Sequence, residues 1–203
     1  VTAAAVPQPR WITETGPDHS QWYIERFRQM AADGNDLGGE ARFIDAMLPR
    51  RGARVLDAGC GPGRVSGYLH AAGHQVVGVD VDPELIAAAE QDHPGPTYYV
   101  ADLATFDLSG SEDRFDGAVL AGNVMVFLGP DTEADVLRRV AAHVVPQGFI
   151  AVGFHTNRHL SLEQFDKAVV AAGLQLEYRF ATWHVHALTD DSDFAVSVLR
   201  HAD

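Results

Sequence analysis

The run Val55-Leu56-Asp57-Ala58-Gly59-Cys60-Gly61-Pro62-Gly63 holds the residue types and spacing best suited to chemistry in this chain. An apolar, β-branched stretch leads into a turn of glycines, and a helical pattern starts directly after it. Glycine lets a ligand lie against the backbone, and the N-terminus of the following helix offers unpaired N–H groups. Asp80 closes a second apolar run, Val76-Val77-Gly78-Val79-Asp80, at 80 − 59 = 21 positions beyond Gly59. A carboxylate at the end of the second strand of such a unit accepts the hydroxyls of a ribose. Turn and acid together point to a nucleoside ligand. Taken singly, the turn would read as a plain strand–helix connection. Asp80 alone would read as a helix N-cap, a role for which Asp82 is better placed.

A dinucleotide fingerprint needs glycines at relative positions one, three and six. Counted from Gly59, position three is Gly61 but position six is Arg64. A nicotinamide oxidoreductase is therefore a weaker alternative, and a nucleoside-binding protein without catalysis is a second one. Asp57 has two open readings, a contact to the ligand or an internal brace of the turn. Cys60 reads as a small packed side chain, because its neighbours are glycines.

To hold these residues, the chain must alternate strands with helices. Strands are expected at 53–58, 75–80, 97–101, 115–121 and 149–154, with helices at about 64–72, 83–91, 131–143 and 161–172. Gly73 and Gly173 stand where C-terminal caps belong. This rhythm implies βαβ units and a parallel sheet covered on both faces. Two further extended runs, about 174–187 and 194–200, have only 188–193 between them and should pair as an antiparallel hairpin. Ahead of the first strand, 1–20 read as a loosely held arm rich in Ala, Pro, Thr and Gly. A helix with Trp22, Tyr23, Phe27 and Met30 at roughly helical spacing follows it, and another spans 39–48 before Pro49. The expected division is 1–38, an arm with a lid-like helix, and 39–203, the ligand-binding domain.

These motifs together resemble the class I S-adenosylmethionine-dependent methyltransferases, and within them the compact bacterial members left without a substrate. Val55 to Gly63 is similar to the first motif of that superfamily, and Asp80 to its ribose-binding acid. Ala101-Asp102-Leu103 resembles the adenine-contacting segment; Phe115-Asp116 and Val145-Pro146-Gln147-Gly148 fall where later motifs belong. The resemblance implies an α/β Rossmann-like fold, a seven-stranded, mostly parallel sheet of order 3-2-1-4-5-7-6 with strand 7 antiparallel. It implies S-adenosylmethionine as cofactor, S-adenosylhomocysteine as product, and a cofactor site of Asp57, Gly59, Gly61, Asp80, Val81, Asp102, Leu103 and Gly122.

Methyl transfer from a sulfonium asks the protein mainly for in-line positioning and exclusion of water. A base matters only for an acceptor that arrives protonated. Ligands of open α/β sheets bind beyond the carboxyl ends of the strands. There His155, after the fifth strand, is the candidate base, and Asn123, after the fourth, the candidate orienting residue. Each has a plain structural alternative, a packed histidine and a turn residue. Trp22, Tyr23, Arg26 and Phe127 are candidate walls for an acceptor, against the alternative of packing and a solvated helix face. His184 and His186 share one face of an expected strand, yet no third ligand is visible, so no metal site is assigned.

The balance of 15 Lys+Arg against 28 Asp+Glu gives a net charge of −13, which repels nucleic-acid backbones and anionic lipid. A small-molecule acceptor is the expectation, with no nucleic-acid or membrane partner. One cysteine, no apolar N-terminal core and no long apolar stretch fit a soluble, cytoplasmic protein.

Overall fold

The computed structural model describes residues 5–108 and 114–202. Among these, strands β1 (Arg54–Ala58), β2 (Gln75–Asp80), β3 (Thr97–Val100), β4 (Phe115–Leu120), β5 (Val144–His155), β6 (Leu174–Phe180) and β7 (Phe194–His201) form one sheet. Their order is β3-β2-β1-β4-β5-β7-β6. The first five pair in parallel, and β7 runs antiparallel to both β5 and β6. The helices are α1 (Arg10–Thr13), α2 (His19–Ala32), α3 (Gly39–Met47), α4 (Arg64–Ala71), α5 (Pro83–Asp92), α6 (Val124–Phe127), α7 (Glu133–His143) and α8 (Leu162–Ala171).

Burial follows the strand period of two. Val55 packs with Ile44 and Leu69 of α3 and α4, whereas its neighbour Leu56 packs in the core that contains Val140 of α7 and Phe165 of α8. Both faces are covered, which is why β1 and β4 are buried along nearly their whole length. Helix ends obey local chemistry. Asp82 caps α5 by accepting from the Glu84 N–H, and Ser161 with Gln164 forms a reciprocal capping box on α8. No helix among the described residues is long and apolar enough to cross a membrane.

Three expectations need correction. The arm is not loose: residues 5–20, the described part, contain α1 and are tied down at several points. Trp11 Nε1 donates to Asp82 Oδ2 at 2.8 Å, Arg10 Nη1 donates to the Leu128 carbonyl at 3.1 Å, and Glu14 pairs with His159 at 3.2 Å. Composition describes what a segment does alone; tertiary partners overrule it here. Second, the sixth strand stops at Phe180, because the Ala181 N–H turns to bond the His186 carbonyl at 2.8 Å and closes a local loop. His184 and His186 therefore lie in that loop, not on a strand face, and Val185 at its tip has φ 57°. Third, the short helix α6 was not anticipated; Asn123, at φ 69°, starts it.

Close packing across the sheet makes some glycines obligatory. A methyl group on Gly78 of β2 would lie 2.6 Å from the Tyr98 ring and 2.9 Å from Cys60 Sγ. Gly78→Ala is expected to destabilise the fold by about 1–3 kcal/mol, read as a lowered midpoint in denaturant unfolding. An unchanged midpoint would mean that Tyr98 swings aside freely.

Candidate functional site

The glycine turn is hung from β2. The N–H groups of Gly59 and Cys60 both donate to the Val79 carbonyl, at 2.7 and 3.1 Å. Gly59 has φ 80°, and any side chain there would collide with Val124. Gly61 N–H donates to Asp80 Oδ2 at 2.8 Å, and Asp82 N–H donates to Asp80 Oδ1 at 3.0 Å. Asp80 thus fastens the turn after β1 to the end of β2, with one N–H on each oxygen and further lone pairs left for a ligand. Asp57, 1% exposed, accepts from Ser66 Oγ at 2.6 Å.

Burial governs the acidity of these groups. It pushes Asp57 up to about 6, against the lowering effect of the Ser66 hydroxyl. It pushes Asp80 up to about 6 as well, against the Asp82 and Gly61 N–H groups. The Cys60 thiol is driven well above its ordinary value by burial and by the two carboxylates, so it is not a reactive thiolate.

A cleft of about 810 Å³, including its open mouth, lies over this turn. Asp57, Gly59, Gly61 and Asp80 line its floor. Val81, Asp102 and Leu103 line one side, Gly122 and Phe127 the other. All eight sequence-derived cofactor candidates therefore meet in one cavity. Asp102 Oδ1 accepts from the Ala104 N–H at 2.8 Å, and Oδ2 has no protein partner among the described residues.

The N-terminal segment roofs the cleft with Pro9, Trp11, Tyr23 and Phe27. Trp11 stands edge-on to Tyr23 at 5.4 Å and to Phe127 at 5.5 Å. Its pin is Asp82, which also accepts from Ser20 Oγ. Two acceptor candidates are not brought here: Trp22 is 53% exposed, with Arg26 over its ring, and both are absent from the cleft wall. Arg28 clamps α2 to α5 through both oxygens of Asp92. Sequence reasoning missed Trp11, whose signal was a lone tryptophan in an otherwise Pro- and Thr-rich arm.

His155 and Asn123 meet each other. Asn123 Oδ1 accepts from the His155 N–H at 2.8 Å and lies 3.1 Å from His155 Nδ1. An amide oxygen only accepts, so Nδ1 carries the proton and Nε2 is left as the basic nitrogen. Neither residue belongs to the cleft wall, though Gly122 and Val124 on either side of Asn123 do. No group of three or more metal-ligating side chains occurs among the described residues.

Residues 55–148 match the family model described as a methyltransferase domain. A crystal structure of a TehB-like S-adenosylmethionine-dependent methyltransferase from Corynebacterium glutamicum is 42% identical, with a TM-score of 0.86 over 92% of this chain and all of that one. This chain belongs to the class I S-adenosylmethionine-dependent methyltransferases. A malonyl-[acyl-carrier protein] O-methyltransferase from Enterobacter lignolyticus is 30% identical over 72% of this chain and 65% of its own length. The chain thus spans less than two-thirds of that curated relative, and 42% of a namesake from Erwinia billingiae. The fold is shared with the glycopeptide N-methyltransferase MtfA in complex with S-adenosylmethionine, at 16% identity, TM-score 0.65, over 80% of this chain and 93% of that one.

The residues of this methyltransferase fit S-adenosylmethionine. The positive-φ glycines leave a cradle that side chains would fill, and the buried acids Asp57 and Asp80 suit an ammonium and a ribose. A pH dependence follows. Both acids titrate near 6 when folded and near ~3.9 when unfolded. Their contribution to stability is therefore full below about pH 4 and is lost as pH rises through 6. An ammonium and ribose hydroxyls are met best by the ionised carboxylates, so affinity for S-adenosylhomocysteine is expected to fall as pH drops below about 6. Calorimetric titrations between pH 5 and 8 check this, and Asp57→Asn with Asp80→Asn should flatten the profile.

Proposed function

We propose that this chain transfers a methyl group from S-adenosylmethionine to a small-molecule acceptor. The observation that supports it most is the Gly61–Asp80 contact on the cleft floor, which joins the ligand-cradling turn to the ribose-binding acid. When bound, the cofactor supplies a methyl group on a sulfonium, already a good leaving group. Asp80 takes the ribose hydroxyls, with Val81 beside them. Asp102 and Leu103 take the adenine. Gly59, Gly61 and Gly122 leave room for the methionine end, and Asp57 takes its ammonium. The aromatic roof keeps water from the reacting centre.

An acceptor small enough to share the cleft with the cofactor accords with its size and with the charge of −13. The His155–Asn123 pair lies outside the cleft wall and joins the ends of β5 and β4, so no proton transfer from an acceptor in the cleft is assigned to it. Phe127 walls the acceptor side. The O-methyltransferase relative acts on a malonyl group carried by a protein, which favours an oxygen acid among the acceptors to screen first.

A thermal-shift screen tests the reading. S-adenosylmethionine and S-adenosylhomocysteine should raise the melting temperature and NAD should not. Stabilisation by NAD alone would reverse the assignment. Asp80→Ala should weaken the adenosyl ligands by about ten-fold or more, since it removes charge-assisted hydrogen bonds.

The division at residue 38 is proposed in a modified form. The segment 5–38 acts as a roof latched at Asp82, rather than as a helix swinging on a free tether. Asp36 is held by Arg42 at 2.9 Å, and the Leu37 carbonyl by Arg64 at 2.5 Å, so the link between α2 and α3 is itself pinned. Trp11→Phe keeps the ring and deletes the latch. Stopped-flow measurement should then find cofactor dissociation several-fold faster with the melting temperature of the free protein nearly unchanged. An unaltered dissociation rate would rule the latch out.

A further inference from the structure

Among the described residues, Arg26 is a cation without a carboxylate, in a chain whose net charge is −13. Its helix neighbour Arg28 is spent on Asp92 and Glu25. The Arg26 guanidinium lies instead over the Trp22 ring, 5.5 Å from the centroid. That indole is exposed, and His19 stands 5.3 Å from it. Stacking on an aromatic face orients a guanidinium and uses none of its N–H groups, which lie in the plane of the fork. All five donors of Arg26 are therefore open to a ligand.

Helix α2 sets this pair at the lip of the cleft. Consecutive side chains are turned by about 100° around a helix. Tyr23 lines the cleft, and Ile24 packs on Leu85 and Ala88 of α5. Arg26, three residues beyond Tyr23, therefore stands about 60° from it, on the flank turned away from α5. Burial raises the Tyr23 phenol above its ordinary value, and the charges of Arg64 and Arg26 oppose that rise. Arg26 thus acts on an atom inside the mouth. The interior is acidic, with Asp57, Asp80 and Asp102, and its lining cation Arg64 is gripped by Glu40 at 2.8 and 2.6 Å. An anion is turned away from the floor and attracted at the lip.

We propose that Arg26, seated on Trp22, recognises a carboxylate of the methyl acceptor, which makes the acceptor a small organic acid methylated at an atom remote from that carboxylate. The carboxylate stays at the lip on the guanidinium fork, and the body of the acceptor reaches past the Tyr23 ring toward the reacting centre. Charge fixes the direction of entry, because a reversed acceptor would bring its carboxylate against Asp57 and Asp80. A planar carboxylate meets the fork with two parallel hydrogen bonds. A carboxamide of the same shape offers one oxygen, turns an NH₂ toward the donors and brings no charge. This rests on the methyltransferase reading and adds to it the acceptor's charge and orientation.

The test uses the protein saturated with S-adenosylhomocysteine. The probes are 4-hydroxybenzoate, 4-hydroxyphenylacetate and 4-hydroxycinnamate, each beside its carboxamide. They set a carboxylate at different reaches from a phenolic oxygen. Calorimetric titration of wild type should find at least one carboxylate bound about ten-fold or more tightly than its amide. Arg26→Gln should abolish that preference, and Trp22→Leu should shrink it as the guanidinium loses its seat. Both side chains are exposed, so both variants should unfold at the wild-type midpoint and bind S-adenosylhomocysteine as wild type does. Equal binding of acid and amide, no binding of any probe, or a preference that survives Arg26→Gln each overturns the proposal. If Trp22→Leu does not fold, Arg26→Gln decides alone. A wild type that does not bind S-adenosylhomocysteine would instead overturn the methyltransferase reading beneath it.

Discussion

The carboxylate of Asp80 is buried at the end of β2, and its hydrogen bond from the Gly61 N–H holds the site together. Burying a carboxylate without a countercharge is costly, and two backbone N–H groups offset only part of that cost. The remainder appears as a raised pKa, shared by Asp57 beside it. A ligand bringing hydroxyls and a positive charge relieves the strain that the folded chain alone retains. The same carboxylate orders Asp82 through its N–H, and Asp82 in turn caps α5 and pins Trp11 and Ser20. Two residues at one strand end, Asp80 and Asp82, thus set the turn, the neighbouring helix and the roof.

Sheet topology decides where this happens. The strand order changes direction between β1 and β4, and helices on opposite faces leave a crevice beyond their carboxyl ends. The turn after β1 forms one bank, and Gly122 with α6, after β4, forms the other. β7 runs antiparallel between β5 and β6, so β6 points the same way as β5. The loop after β6 therefore returns to the same edge as His155. Trp183 from that loop lies over Gly153 of β5, where any side chain would clash with the indole.

The roof explains why an acidic chain keeps arginines on its N-terminal helices. Arg28 ties α2 to Asp92 of α5, while Ile24 packs with Leu85 and Ala88 on the same helix pair. Arg10 reaches Leu128 on the far bank. The segment is joined to both sides of the crevice, so a ligand beneath it is enclosed by contacts that do not belong to the sheet.

How much of this was legible depends on the range of the interaction involved. The strands of the sheet, the helices α2–α5, α7 and α8, and the cap at Asp82 follow from spacing along the chain and could be read from it. So could the turn from Gly59 to Gly63 and its partner acid Asp80, because a fixed connection length makes their distance in sequence a distance in space. The loop character of 181–193, the helix α6, the anchored arm and the place of Trp11 in the roof were not legible. Each depends on groups far apart in the chain, such as Trp11 with Asp82 or Asn123 with His155. Trp22 and Tyr23 are adjacent and alike in sequence, yet a helix turns consecutive side chains by about 100°, sending one to solvent and the other into the cleft. Local pattern determined the floor of this site; only packing between distant segments decided what stands over it.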